Sequence, residues 1–222
     1  MVIQITINYE FYNLFLLGQY NCFFMLKESE YDIVIIGAGV IGSALANRLS
    51  KRFQVKIAIV EKEGSVGYHA SSRNSGVIHS GFYYRPNSLK AKFCVEGNKQ
   101  LQNYCVVNNI PYKKTGTLVV GKTKIDENNL EALLKRSKEN NVQDGRMINE
   151  IELRKMEPFT DGKFALYSPM GSIVDSSKLV ESLGFEAKEN GVRILLNQKV
   201  ISIKSKDSKI IITTSMTEIS AK

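Results

Sequence analysis

One stretch of this chain leaves little freedom in the choice of fold. Residues 31–36, Tyr-Asp-Ile-Val-Ile-Ile, run directly into Gly37-Ala38-Gly39-Val40-Ile41-Gly42, and residues 55–61, Val-Lys-Ile-Ala-Ile-Val-Glu, follow. A nearly unbroken apolar run marks a strand buried on both faces of a parallel sheet. Between the two runs, Ile41, Leu45 and Leu49 recur every four positions. That spacing predicts an amphipathic helix over 40–52 with those three as its apolar stripe. Strand, helix and strand make one βαβ unit, at about the thirty-residue minimum for that motif. The predicted class is α/β, with a Rossmann-like parallel sheet.

The glycines carry a specific chemistry. Gly37 allows the tight turn, Gly39 lets backbone approach a pyrophosphate, and Gly42 lets helix and strand pack closely. The phosphates would rest on unsatisfied N–H groups at the helix N-terminus, where the dipole is positive. Glu61 stands nineteen residues after Gly42 at the end of the second strand, with Lys62 beside it as a further candidate nucleotide contact. A carboxylate there accepts hydrogen bonds from a ribose hydroxyl and repels a 2′-phosphate, so NADP is disfavoured. The turn by itself does not separate NAD from FAD.

Downstream the pattern stays α/β. Residues 64–86 carry Gly, Ser and Pro86 without helical or strand period, and so read as a long functional loop. A helix is predicted from Ser88 to about Asn108, capped by Asn87 or Ser88, then a strand at 115–121 and a helix marked by Leu130, Leu133 and Leu134. Asn149-x-x-Glu152 reads as a capping box for a short helix stopped by Pro158, and KFALYSP as a strand. The next helix spans 175–191, with Leu179, Val180, Leu183 and Ala187 as its buried stripe and Gly191 at its C-terminal cap. A short strand at 192–196 and a hairpin of 199–204 with 209–214 complete the reading.

Composition bounds the partners. The formal net charge is +8, but the basic residues are scattered rather than gathered into a stripe with interleaved aromatics. Nucleic acid is therefore not an expected partner, whereas an anionic cofactor or a carboxylate substrate is. The cysteines, Cys22, Cys94 and Cys105, have no C-x-x-C spacing, and on one helix Cys94 and Cys105 would lie about 16 Å apart, too far for a disulfide. An odd count without spacing logic suggests a reducing, cytoplasmic setting. His69 and His79 are the only histidines, both in the loop, so no metal site is expected. Residues 1–30 hold no run of apolar residues long enough to span a membrane, and read as a poorly structured extension.

A second stretch, ASSRNSGVIHSGFYYRPNSLKAKFCVEGN at 70–98, narrows the cofactor. It resembles the flavin loop of the FAD-dependent oxidoreductases related to D-amino-acid oxidase. Within that superfamily, NSGVIHSGFYY followed by SLKAKFCVEGN is closest to the L-2-hydroxyglutarate dehydrogenase and oxidase group, with a looser likeness to glycerol-3-phosphate dehydrogenases. The resemblance runs from about Tyr31 to Val200. It implies an FAD-binding domain built of discontinuous pieces, 31–109 and 175–222, around an inserted and incomplete α+β substrate domain at 110–174. It implies FAD as cofactor and a small 2-hydroxy acid as substrate. Ser71, Arg73, Asn74, Ser75 and Gly76 would line the pyrophosphate and flavin side, and Val200 would offer backbone to the adenine.

By the same resemblance His79 lies close to the flavin ring. Oxidation of a 2-hydroxy acid sends hydride to the flavin while a base takes the hydroxyl proton, and an imidazole titrating near neutrality suits that task. The rival reading is a loop histidine that fixes geometry. Arg85 and Lys90 are candidates for attracting a dicarboxylate, against the plainer reading of solvated charges. The family pattern continues beyond TTSMTEISAK with further substrate-domain and flavin-covering segments, so the chain reads as an N-terminal half, active in a complete or complemented form, the alternative being a non-catalytic fragment with weak nucleotide binding. A complementing polypeptide, and peripheral contact with a membrane or a quinone acceptor, are further expectations.

Overall fold

The computed structural model describes residues 29–222. In chain order its first strands are β1 (Ser29–Tyr31), β2 (Ile33–Ile36) and β3 (Ile57–Val60), with helix α1 (Val40–Arg52) crossing between β2 and β3. Strand β4 (Val77–Ile78), helix α2 (Leu89–Val107), and strands β5 (Tyr112–Lys114) and β6 (Thr117–Gly121) follow. Next come α3 (Lys124–Glu139), β7 (Arg146–Asn149), α4 (Glu150–Met156), β8 (Phe164–Ser168) and β9 (Ser172–Val174). The chain closes with α5 (Ser176–Glu189), β10 (Arg193–Leu195), β11 (Val200–Lys206), β12 (Lys209–Thr214) and β13 (Glu218–Ala221).

The expected parallel sheet is present, in the order β10-β3-β2. β3 is its centre, pairing in parallel with β2 from Ile33↔Ile57 to Ile36↔Val60 and with β10 from Arg193↔Ala58 to Leu195↔Val60. All four β3 residues are buried, each of the larger ones contributing roughly 1.5–3 kcal/mol of transfer free energy. Through β10 the segment after residue 175 joins this same parallel sheet.

Strand formation begins earlier and breaks sooner than expected. At Asp32 the chain bends, because the N–H groups of Asp32 and Ile33 both donate to Lys56 O while the Asp32 carboxylate accepts from Lys56 N–H at 2.8 Å. What precedes the bend, β1, belongs to another sheet and pairs in parallel with β13, Ser29 against Ile219. Ser29 and Glu30 are thus part of the fold rather than of an extension; the rest of the expected extension, with Cys22, lies outside the described residues. The β11–β12 hairpin is as read, turning at Asp207 and Ser208 with φ of 48° and 64°, the left-handed pair that suits a two-residue connection. β13 was not foreseen; it completes the sheet β1-β13-β12-β11.

Helix α1 has the predicted bounds, but of the predicted stripe only Leu49 packs against the core. Gly42, Ser43, Ala46 and Asn47 are buried, whereas Ile41 is 77% and Leu45 46% exposed. Close approach explains the inversion. A Cβ on Gly42 would stand 2.0 Å from Gly37 O, so only small residues fit between helix and turn. On the same face, Asn47 and Lys51 hydrogen-bond Glu186 of α5, which also accepts from Tyr104 of α2 at 3.0 Å. Three helices are joined through one carboxylate.

The inserted segment forms two small sheets, β4-β9-β5 and β6-β8-β7. The first takes β4 from the long loop, which is therefore not without strand. The second carries α3 on a core of Phe82, Leu130, Val142 and Leu166. At α4 the expected capping box is only half made: Asn149 accepts from Glu152 N–H at 3.0 Å, but the Glu152 carboxylate is drawn to Arg146. The reciprocal box stands instead at Thr123 and Asp126, opening α3.

Candidate functional site

The site is built where β2, β3 and α1 meet. Gly37 has φ +100°, a region that L side chains rarely adopt, and it turns the chain from β2 into the loop. Gly37 N–H donates to Val60 O at 2.8 Å, fixing the turn to the end of β3. Glu61, at that same end, is 9% exposed and accepts from Ala38 N–H at 2.7 Å and from Glu63 N–H at 3.0 Å. Each carboxylate oxygen thus holds one backbone donor and keeps acceptor capacity for another.

Ser71 comes from the long loop to the same place. Its Oγ accepts from Val40 N–H at 3.0 Å, supplying the cap that Gly39 cannot, and it lies 3.0 Å from where a Gly39 Cβ would stand. Gly67 N–H donates to Ala38 O at 2.9 Å. Among the described residues, the N–H groups of Gly39, Ile41 and Gly42 make no hydrogen bond. Three backbone donors at a helix N-terminus, rimmed by a hydroxyl and faced by a buried carboxylate, form a cradle whose chemistry suits an anion such as a phosphate, with acceptor capacity for a hydroxyl beside it.

The other expected contacts divide. Gln198 N–H donates to Glu61 O at 2.8 Å, which brings the start of β11, with Val200, to the same end of β3. Lys62 turns instead toward Glu63, at 3.4 Å. Burial favours the neutral form of Glu63, but the hydrogen bond from His69 at 2.7 Å is the larger effect and, with Lys62, holds its carboxyl below the usual range. Arg73 is exposed and stacks over the Tyr68 ring at 4.8 Å. Ser75 is exposed.

Asn74 is committed to its own loop. Its amide donates to Ala70 O and Ser71 O and accepts from Gly76 N–H at 2.8 Å. Gly76 is required by packing: its φ is +64°, and a Cβ would sit 2.3 Å from Val174 O. Together Ser71, Asn74 and Gly76 line a cleft of about 350 Å³ whose apolar wall includes Val40, Ile78 and Leu101. A lining that mixes polar groups with apolar side chains suits a ligand that has both polar and apolar parts.

His79 has an exposed side chain and a backbone held from behind. Its carbonyl accepts from Asn98 Nδ2 at 3.1 Å and from the Cys94 thiol at 3.4 Å. Burial pushes the Cys94 thiol up, with Lys90 opposing, so the S–H donor persists at neutral pH. Ser80, next along, meets Ser168 Oγ at 3.1 Å, and Asn140 donates to Gly81 O and Tyr84 O. Lys90 lies over the Tyr84 ring at 4.6 Å, which places it against the loop rather than free in solvent. The loop from 79 to 84 is thus pinned by side chains of three other elements. Asn98, Gln102 and Asn140 were not singled out from the sequence; the signal for the first two was polar residues at four-residue spacing on one helix. Among the described residues, no cluster of His, Cys, Asp or Glu could hold a metal ion, and no helix is long and apolar enough to cross a membrane.

Comparison with known proteins agrees with this geometry. The profile of the family described as FAD dependent oxidoreductase (DAO) matches residues 32–221. The chain is 37% identical over 187 residues to an L-2-hydroxyglutarate dehydrogenase of Indibacter alkaliphilus, covering 84% of this chain and 47% of that protein. It is 38% identical over 177 residues to the human mitochondrial L-2-hydroxyglutarate dehydrogenase, covering 79% and 38%. The chain therefore spans less than half the length of these relatives. Among solved structures it is similar to an FAD-bound L-alpha-glycerophosphate oxidase of Mycoplasma pneumoniae, with 30% identity, a TM-score of 0.79, and 86% and 52% coverage. It shares its fold with a glycine oxidase of Geobacillus kaustophilus, at 22% identity and a TM-score of 0.78, covering 87% and 54%.

Proposed function

Because the chain belongs to the FAD-dependent oxidoreductase family, we propose that it provides the cofactor-binding part of an enzyme oxidising a small 2-hydroxy acid of the L-2-hydroxyglutarate type to the 2-oxo acid. The observation that carries the substrate class is the identity of 37–40% to several relatives named as L-2-hydroxyglutarate dehydrogenases. The residues present fit the family's cofactor. Among the described residues the N–H groups of Gly39, Ile41 and Gly42 lack partners, Glu61 keeps acceptor capacity for a ribose, and the adjoining cleft has a largely apolar lining.

Bound FAD supplies a two-electron acceptor for the hydride that leaves the C2–H bond. The chain's own part is positional and acid–base. In this reading the cradle N–H groups and Ser71 hold the pyrophosphate, Glu61 holds the adenosine ribose, and Val200 offers backbone to the adenine. Arg73 and Ser75 face the cofactor from the loop, whose shape Asn74 and Gly76 maintain. The imidazole of His79 takes the substrate hydroxyl proton as C2 becomes a carbonyl.

A second reading, oxidation of glycerol phosphate, is favoured by the likeness to the Mycoplasma oxidase at 30% identity. The visible spectrum of the flavin-loaded chain decides between them under anaerobic conditions. Bleaching by L-2-hydroxyglutarate and not by glycerol 3-phosphate is expected. The reverse order would transfer the assignment to the second reading, and bleaching by neither would overturn both as reactions of this chain with FAD alone.

A further inference from the structure

We propose that Asn98 is a positioning residue for His79, holding its backbone in place against the inserted domain. The inference rests on the reading of His79 as the base, but its geometry stands independently. Asn98 is 3% exposed, and its amide is fully engaged. Nδ2 donates to His79 O at 3.1 Å and to Met170 O at 2.9 Å, while Oδ1 accepts from Gln102 Nε2 at 2.8 Å. Gln102, itself 7% exposed, also reaches Met170 O at 3.3 Å.

Cys94, Asn98 and Gln102 stand four residues apart along α2, so they form one polar stripe on one helical face. At one end of that stripe is the His79 carbonyl, and at the other the turn between β8 and β9 that carries Met170. A single amide group thus ties three separate chain segments together. A buried amide at such a junction favours one arrangement, because displacement of His79 costs Asn98 one of its two donated hydrogen bonds. Neither Gln102 nor Cys94 can substitute. Gln102 does not reach the His79 carbonyl, and a thiol is a weak donor.

The test follows the His79 backbone rather than turnover. In the 15N-labelled chain, the amide order parameter of His79 should match the rigid-backbone value of about 0.85 and fall below about 0.6 in Asn98→Ala and in the isosteric Asn98→Asp. The Asp variant keeps the volume but places an acceptor against two carbonyls. Gln102→Ala removes bonds to Asn98 and Met170 yet spares the His79 carbonyl, so it should leave His79 rigid, and His69 should be unchanged throughout. A mobile His79 in the unsubstituted chain would overturn the proposal without any variant. So would a rigid His79 in both Asn98 variants, or equal loosening by Gln102→Ala. Failure of His79 as the base shows separately, as undiminished flavin reduction in His79→Ala.

Discussion

Ala38 N–H donates to Glu61 Oε2 at 2.7 Å, so the end of the second sheet strand is bonded to the middle of the glycine turn. One carboxylate thereby shapes the glycine turn and, in the proposed function, presents acceptor capacity to a ribose. Both functions predict the effect of removing it. Glu61→Ala should weaken FAD binding by about 1–3 kcal/mol, the scale of hydrogen bonds to a charged group. Glu61→Gln, which keeps one acceptor oxygen, should cost less. Titration of FAD followed by flavin fluorescence checks the order; equal affinity in all three chains would return Glu61 to a structural role.

Two glycines should respond oppositely to the same substitution. At Gly42 a Cβ would meet Gly37 O at 2.0 Å, a backbone atom that cannot move without opening the cradle. Gly42→Ala should lower the melting temperature and abolish FAD uptake. At Gly97, in the middle of α2, a Cβ meets nothing within 4 Å. Gly97→Ala should stabilise by up to about 1 kcal/mol through helix propensity alone. Thermal melts of the two variants side by side read both effects.

His79 has an exposed imidazole on a pinned backbone, an arrangement that allows its side chain to change without disturbing the cradle. His79→Ala should bind FAD within about twofold of the unsubstituted chain. Flavin reduction by substrate should slow by roughly 10²–10⁴-fold, the usual contribution of a general base. Anaerobic stopped-flow reduction measures it.

Glu186 makes the packing of three helices depend on pH. Burial would raise its carboxyl, but hydrogen bonds from Lys51, Asn47 and Tyr104 outweigh that and hold it below the ordinary value of 4.5. Tyr104 is pushed up to about 12, by burial first, with Glu186 adding to it, and so remains a donor at neutral pH. A carboxyl depressed in the folded state contributes stability that is complete above 4.5 and is lost as pH falls through its lower folded value. The stability advantage over Glu186→Gln should therefore be constant from pH 6 to 8 and shrink below about 4.5. Urea melts across that range test the sign.

The glycine turn, its helix and Glu61 were legible in the sequence because each rests on a local rule: φ at Gly37, close approach at Gly42, and a carboxylate at a strand end. The face of α1 was not. Ile41 and Leu45 keep perfect four-residue spacing, yet the helix buries Gly42, Ser43, Ala46 and Asn47, because contact with a turn and a neighbouring helix at short range selects small residues over apolar ones. Periodicity reports an apolar face, not which neighbour is near enough to cover it. Asn98 escaped for a related reason. Two of its three partners, His79 and Met170, lie on segments distant in sequence, so its role exists only once the chain has folded. β13 and β1 were hidden likewise, each being short and stabilised by the other across the length of the chain.

The most direct test of the account is the uptake of FAD by the 222-residue chain itself. Titration with visible absorbance, after removal of unbound flavin, should show one FAD retained per chain, with retention lost in Gly42→Ala. A folded chain that emerges colourless at saturating FAD would contradict the claim that this cradle, as it stands, holds the cofactor.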